Sequence, residues 1–158
     1  MLRGFLREQA YPQLARAHKG YEVKVHEDLM TLYDVVGVCK FTRQMFFAEA
    51  YPEMLKAVTG MEMTVADLLT VGERVYNLQR AFNAREGLDR NNGTLPPRVF
   101  EDPIPNGASR GSFLKGSEFE RMLDDYYQVR GWSQNGVPTK VNLALPGLDE
   151  VAEKIGAY

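Results

Sequence analysis

Apolar residues recur at intervals of three and four along most of this chain, and strict alternation is nearly absent, so the pattern predicts helices with little strand. From residue 2 to about 17, Phe5, Leu6, Tyr11, Leu14 and Ala15 fall mostly on one helical stripe, which Pro12 breaks or kinks. Residues 19–24 (KGYEVK) read as a linker, with a brief extended piece as an option. Val25, Leu29, Leu32, Tyr33 and Val36 then define a helix over about 25–36, stopped by Gly37. A further helix is expected over about 42–50. Tyr51-Pro52 restarts the chain into a short helix at 53–58, which Gly60 closes.

Thr64-Val65-Ala66-Asp67 has the form of a capping box, with the carboxylate at the positive end of the helix it opens. Behind it, Leu68, Val71, Val75, Leu78 and Phe82 step by three and four as the seam of a long core-facing helix ending near Gly87. Gly72 inside that helix costs about 1 kcal/mol relative to alanine. A close helix–helix or cofactor approach accounts for it, and so does neutral drift. Residues 88–116 hold four prolines and four of the fourteen glycines without a helical period, which predicts a long irregular loop. Its Leu95, Val99, Phe100, Ile104 and Phe113 suggest packing across a surface. Ser117-Glu118-Phe119-Glu120 reads as a second capping box, followed by a stripe of Phe119, Met122, Leu123 and Tyr126 that ends at Gly131. Residues 132–146 look loop-like with an Asn135-Gly136 turn, and 148–155 form a last short helix. The fold class is all-α, an irregular multi-helix arrangement read as one helical domain over 1–158.

Composition narrows the function classes. The 158 residues are 44% apolar and 25% charged, enough for one real core. With 19 basic against 21 acidic residues, net charge −2 and no basic run, nothing favours nucleic acid or an anionic membrane surface. No apolar run approaches a membrane span, and the N-terminus has no signal-peptide pattern. One cysteine points to a reducing compartment, so a soluble cytoplasmic location is expected.

That cysteine, Cys39, lies five residues after Asp34 and two after Gly37, in Asp34-Val35-Val36-Gly37-Val38-Cys39-Lys40-Phe41. One thiol makes no intramolecular disulfide, multi-cysteine zinc site or iron–sulfur cluster unaided. A carboxylate and a thiolate on either side of a glycine can nevertheless face one bound object, with the backbone close to it. Taken alone, Cys39 reads as a small buried hydrophobe. His18 and His26 read as solvated, since neither has metal-ligand spacing to another good ligand. Tyr126 and Tyr127 read as core. Arg74, Arg80 and Arg85 read as surface ion-pairing residues, the alternative being a polar face toward another domain or an anionic cofactor. No general acid–base pair, nucleophile elbow, phosphate-cradling glycine loop or CxxC is present.

The Asp34–Phe41 segment resembles the Asp-x-x-Gly-Leu-Cys segment of the tungsten-containing aldehyde:ferredoxin oxidoreductase family. The resemblance continues in the family's order through Gly72-Glu73-Arg74-Val75-Tyr76-Asn77-Leu78, Arg80-Ala81-Phe82-Asn83-Ala84-Arg85-Glu86-Gly87 and Thr94-Leu95-Pro96-Pro97-Arg98. It then covers Tyr126-Tyr127-Gln128-Val129-Arg130-Gly131-Trp132-Ser133, Asn135-Gly136-Val137-Pro138-Thr139 and Gly147-Leu148, reaching from about residue 25 to the end. It implies the family's C-terminal helical domain. It also implies the family's activity, oxidation of aldehydes to carboxylic acids with water as oxygen source and ferredoxin as electron acceptor. The implied cofactors are tungsten or molybdenum held by two pterin dithiolenes and a [4Fe-4S] cluster.

Carried over by position, Cys39 is the fourth cluster thiolate. Asp34 accepts hydrogen bonds from one pterin, and the backbone around Val38 and Lys40 lines it. Val38 stands where the family has leucine. The family's other three cluster cysteines, its N-terminal β domain and the segment for the second pterin are missing from this sequence. The chain is therefore expected to be inactive and cofactor-free alone, as a fragment, split-gene product or remnant. Its expected partners are the remaining domains of the parent enzyme, ferredoxin and a small aldehyde, and exposed apolar surface is expected to favour homo-oligomers. Substrate choice is assigned to the 88–116 loop, where Arg90, Arg98 and Arg110 hint at an anionic substrate. The competing reading is a non-catalytic helical interaction domain that keeps the fold without the metal site.

Overall fold

A computed structural model describes residues 19–44 and 48–157, with the side chains of residues 43 and 44 left aside. The helix read from Phe5 to Ala15, and His18, lie outside the described residues. Seven α-helices are described: α1 (Lys19–Val35), α2 (Ala50–Thr59), α3 (Val65–Arg85), α4 (Arg98–Glu101), α5 (Gly116–Arg130), α6 (Lys140–Ala144) and α7 (Asp149–Ile155). Short 3₁₀ turns run over Lys40–Gln44 and Arg90–Asn92. The described residues contain no strand, only an isolated bridge between Trp132 and Pro138. The all-α class holds.

Helix α1 is the centre, packed against both α3 and α5. Two glycines permit this. A Cβ on Gly72 of α3 would lie 2.3 Å from the Asp28 carbonyl oxygen of α1, and one on Gly20 would lie 2.6 Å from the Tyr126 backbone nitrogen of α5. The reading of 19–24 as a linker is thereby corrected. Those residues form the first turns of α1, and Gly20 is a contact point between helices rather than a breaker. Gly72 likewise takes the helix–helix explanation.

Three zones fill the interior. Leu32, Tyr33, Tyr51 and Leu68 form an apolar cluster under the C-terminal end of α1, with Val36, Val38, Leu55 and Met63 packed on it. A polar, aromatic zone lies where α1, α3 and α5 meet. A small cluster of Leu143, Leu148 and Ala152 joins α6 to α7.

Several boundaries move. The expected 42–50 helix is, where described, a 3₁₀ turn ending at Gln44, and α2 begins at Ala50; residues 45–47 lie outside the described set. Helix α3 opens as expected: Thr64 Oγ1 accepts from Asp67 N–H at 3.2 Å and Asp67 Oδ2 accepts from Thr64 N–H at 2.8 Å. Its seam, however, runs through Leu68, Gly72, Asn77 and Ala81, leaving Leu78 44% and Phe82 55% exposed. Helix α5 starts at Gly116, ahead of the expected Ser117 box, with the Glu118 carboxylate accepting from Lys115 N–H. The 88–116 loop is tied to α5 through Phe100 and Phe119, whose ring centroids are 5.5 Å apart. Its Ile104 and Phe113 stay exposed. The tail over 132–146 contains α6, which Thr139 caps by accepting from Asn142 N–H.

Candidate functional site

Helix α1 ends in a Schellman motif. Gly37 adopts φ +71° and donates to the Asp34 carbonyl at 3.2 Å, while Val38 N–H donates to the Tyr33 carbonyl at 3.0 Å. Only glycine takes that left-handed position cheaply. Val38 then turns inward onto the Leu32–Tyr33–Tyr51–Leu68 cluster, the apolar contact that accompanies this cap. With Val38 anchored, Cys39 comes next in the chain and its side chain is exposed. The Cys39 carbonyl accepts from both Thr42 N–H at 2.9 Å and Thr42 Oγ1–H at 2.6 Å. Thr42 Oγ1 in turn lies 3.4 Å from the hydroxyl of buried Tyr51. Anchors on both sides hold the backbone of Cys39 while its sulfur faces outward. This corrects the reading of Cys39 as a buried hydrophobe.

Asp34 sits in the last turn of α1, where the helix dipole disfavours a carboxylate and no basic residue compensates. Its side chain is 63% exposed, and Oδ2 pairs with Lys40 Nζ at 2.9 Å. An ion pair this exposed contributes little to stability. The structure thus brings Asp34, Val38, Cys39 and Lys40 together at one end of α1. Among the described residues no three His, Cys, Asp or Glu side chains could hold a metal ion, so Cys39 can be one ligand of a site and not a whole one. His26 is exposed, as expected of a solvated residue.

The arginines of α3 and of the loop that follows it separate. Arg90 is no anion receptor: its guanidinium binds Glu120 at 2.5 Å, Asp124 at 2.7 Å and the Gln134 carbonyl at 3.2 Å, fastening the loop to α5. Those two carboxylates push its pKa up. Arg85 pairs with Glu86 at 2.9 Å, as a surface residue does. Arg80 does not follow that pattern; it lies 5.3 Å over the Trp132 ring and donates Nε–H to the Gly136 carbonyl at 2.6 Å.

Sequence reasoning missed the polar zone of the core. Arg130 is fully buried and donates to Asp28 Oδ1 at 2.6 Å and to Glu27 Oε2 at 2.7 Å, joining α5 to α1. The hydroxyls of Tyr76 and Tyr126 each donate to Glu27 at 2.7 Å, and the Arg130 guanidinium lies 4.2 Å over the Tyr76 ring. Burial, then the Glu27 hydrogen bond, pushes the Tyr76 phenol up to about 12. A signal existed in the sequence: Asp28 occupies the apolar stripe of Val25 and Leu32 at helical spacing, and a core-facing carboxylate needs a buried cation.

Comparison with known proteins agrees with this architecture. A family model described as aldehyde ferredoxin oxidoreductase, domains 2 and 3, matches residues 5–148. The tungsten-containing aldehyde ferredoxin oxidoreductase of Pyrococcus abyssi is 38% identical over 129 residues, covering 81% of this chain and 21% of that protein. The enzyme of the same name from Thermococcus kodakarensis is 40% identical over 111 residues, 70% of this chain and 18% of that one. A more divergent relative, the WOR-like subunit of aliphatic sulfonate oxidoreductase from Pyrococcus furiosus, is 27% identical over 87% of this chain. In three dimensions, the active-site complex BamBC of benzoyl coenzyme A reductase superposes with a TM-score of 0.73 over 92% of this chain and 21% of that one. At 24% identity that likeness shows the fold alone. The chain spans about a fifth of the length of the curated relatives it matches. With the matched segment covering nearly all of the helical architecture described above, the chain belongs to the aldehyde ferredoxin oxidoreductase family, within its domains 2 and 3.

Proposed function

We propose that this chain forms the C-terminal part of a tungstopterin or molybdopterin iron–sulfur oxidoreductase that oxidises aldehydes to carboxylic acids and passes the electrons to ferredoxin. The observation that carries the reading is the outward-facing Cys39 thiol, fixed between the Val38 anchor and the Thr42 hydrogen bonds, with the Asp34 carboxylate at the same end of α1. When bound, the pterin metal supplies two-electron aldehyde oxidation with water as oxygen donor, and the cluster supplies a one-electron relay.

The donor set fits that division. Cys39 offers one thiolate, the ordinary iron ligand of such clusters, and the remaining ligands must come from other parts of the enzyme. Asp34 offers acceptor oxygens suited to the amino and ring N–H groups of a pterin. Lys40 holds one of those oxygens and so orients the carboxylate. The turn of Gly37 and Val38 presents backbone with little side-chain bulk in front of it, as expected of a segment that lines a planar ligand. The relatives' names support tungsten.

The test is iron, tungsten and molybdenum content of the longest native polypeptide containing this chain, purified without air, as wild type and as Cys39→Ser. Iron with tungsten or molybdenum in the wild type, and selective loss of cluster iron in the variant, is the expected result. Unchanged metal content in Cys39→Ser, or a metal-free native protein, would leave the helical interaction domain as the better account.

A further inference from the structure

Beside the buried polar zone, a cleft of about 260 Å³ opens between α3 and α5, lined among others by Tyr76, Arg80, Asn83, Tyr127 and Trp132. It is built from groups that Proposed function leaves unused. Its cations are the informative part. Glu27 also borders the cleft, but both of its oxygens are taken, by Arg130 and by the two tyrosine hydroxyls. Arg130, Arg90 and Arg85 each have a carboxylate partner. Arg80 has none among the described residues. Its one hydrogen bond goes to a neutral carbonyl, and its Nη2 is buried without an acceptor.

A guanidinium in that condition is expensive: its charge is partly desolvated and only an indole face offsets it. Such a site gains from an anion more than from water, because a hydrogen bond to a charged acceptor is stronger than one to a neutral group. The shape of the acceptor follows from the walls. With Nε given to the Gly136 carbonyl and Nη2 enclosed, a carboxylate in the cleft meets the guanidinium through Nη1. The Asn83 amide and Tyr127 hydroxyl can add neutral donors, and Trp132, already covered by Arg80 and by the Tyr76 ring stacked on it at 6.3 Å, borders the cleft without a free face. We propose that this cleft is a carboxylate-binding site, with Arg80 as the anion receptor and Trp132 as the neighbouring ring that reports occupancy. The carboxylate is either that of a small organic acid or that of an acidic side chain elsewhere in the parent enzyme.

Trp132 is the single tryptophan of the chain, so its fluorescence reports occupancy. The full chain is titrated with benzoate and with benzamide, its neutral counterpart, as wild type, Arg80→Gln and Arg80→Lys. Expected is a saturable change with benzoate that benzamide does not reproduce, weakened about tenfold or more in Arg80→Gln and less in Arg80→Lys. Repeating the benzoate titration on the longer native polypeptide, with binding read by equilibrium dialysis, separates the sources. Retained binding that Arg80→Gln weakens assigns a free organic acid to this cleft, and Arg80-dependent binding confined to the shorter chain assigns an internal carboxylate. No saturable response to benzoate in either protein, or an equal response to benzamide or in Arg80→Gln, would overturn the proposal. Metal content is not read in this experiment, so its failure leaves the role of Cys39 untouched.

Discussion

Arg130 carries a full charge to a position with no exposed surface, and two carboxylates on α1 and the rings of Tyr76, Tyr126 and Trp132 surround it. Burial opposes its charge, but Tyr126, Glu27 and Asp28 outweigh that and move its pKa upward. The same burial raises the Tyr126 phenol. Removing the cation leaves Asp28 Oδ1 unpaired in the interior, with Lys24 alone on Oδ2, so Arg130→Met is expected to destabilise the fold by about 3 kcal/mol. Arg130→Lys, which keeps the charge but loses the two-armed fork, should cost less. Urea denaturation monitored by circular dichroism checks both, and a Met variant as stable as wild type would mean that the network is not a structural clamp. At this scale the sequence was legible unevenly. Asp34 and Cys39 stand out by residue type and spacing. The partnership of Arg130 with Glu27 and Asp28 joins positions about a hundred residues apart, which no local pattern encodes.

Helix starts and stops were legible where a cap marks them, because caps are local chemistry. Thr64 with Asp67 opens α3, and Gly37 and Gly131 close α1 and α5 in left-handed conformation. The first of these carries a pH prediction. The backbone and hydroxyl hydrogen bonds of Thr64 hold the Asp67 carboxyl below its ordinary range. A lowered folded-state pKa gives stability that is present above the unfolded value and is lost as pH falls through the folded one. Wild-type stability should therefore decline below about pH 4, and Asp67→Asn should show a shallower decline there in thermal melts taken across that range. Glycines inside helices were the illegible case, since a breaker and a close contact look alike in sequence. Gly20 was read as part of a linker for that reason. Gly72→Ala distinguishes the two roles at the α1–α3 contact. An exposed helical glycine would gain about 1 kcal/mol from the change. Here the new methyl meets the Asp28 carbonyl at 2.3 Å, backbone that cannot rotate away, so a loss of about 1–3 kcal/mol or more is expected from chemical denaturation. A gain would show that α1 and α3 are not held at this separation.

At the scale of the molecule, several large apolar side chains stay uncovered among the described residues. Val141 of α6 and Leu145 at its C-terminal cap stand one turn apart, 74% and 82% exposed, and Val58 at the end of α2 is 84% exposed. Phe41, two residues from Cys39, is 77% exposed, and Leu78 and Phe82 leave the expected seam of α3 for the outside. Periodicity could not reveal this. It marks a residue as apolar on one face and does not say whether the covering surface belongs to the same chain. In relatives about five times as long, the covering surface can be another part of the polypeptide. Scattered single hydrophobics are ordinary, whereas pairs on one helix face signal a contact. The chain alone should then associate with itself through these faces. Sedimentation velocity over a concentration series should show a mass that rises with concentration, and Val141→Lys with Leu145→Glu should lower it without changing the helical content. In the longer native polypeptide, the same pair of substitutions should reduce thermal stability if α6 is covered by another segment, and leave it unchanged if α6 faces water. A chain that stays monomeric at every concentration, together with a longer polypeptide indifferent to the substitutions, would mean that these apolar faces are ordinary surface and that the helical unit stands by itself.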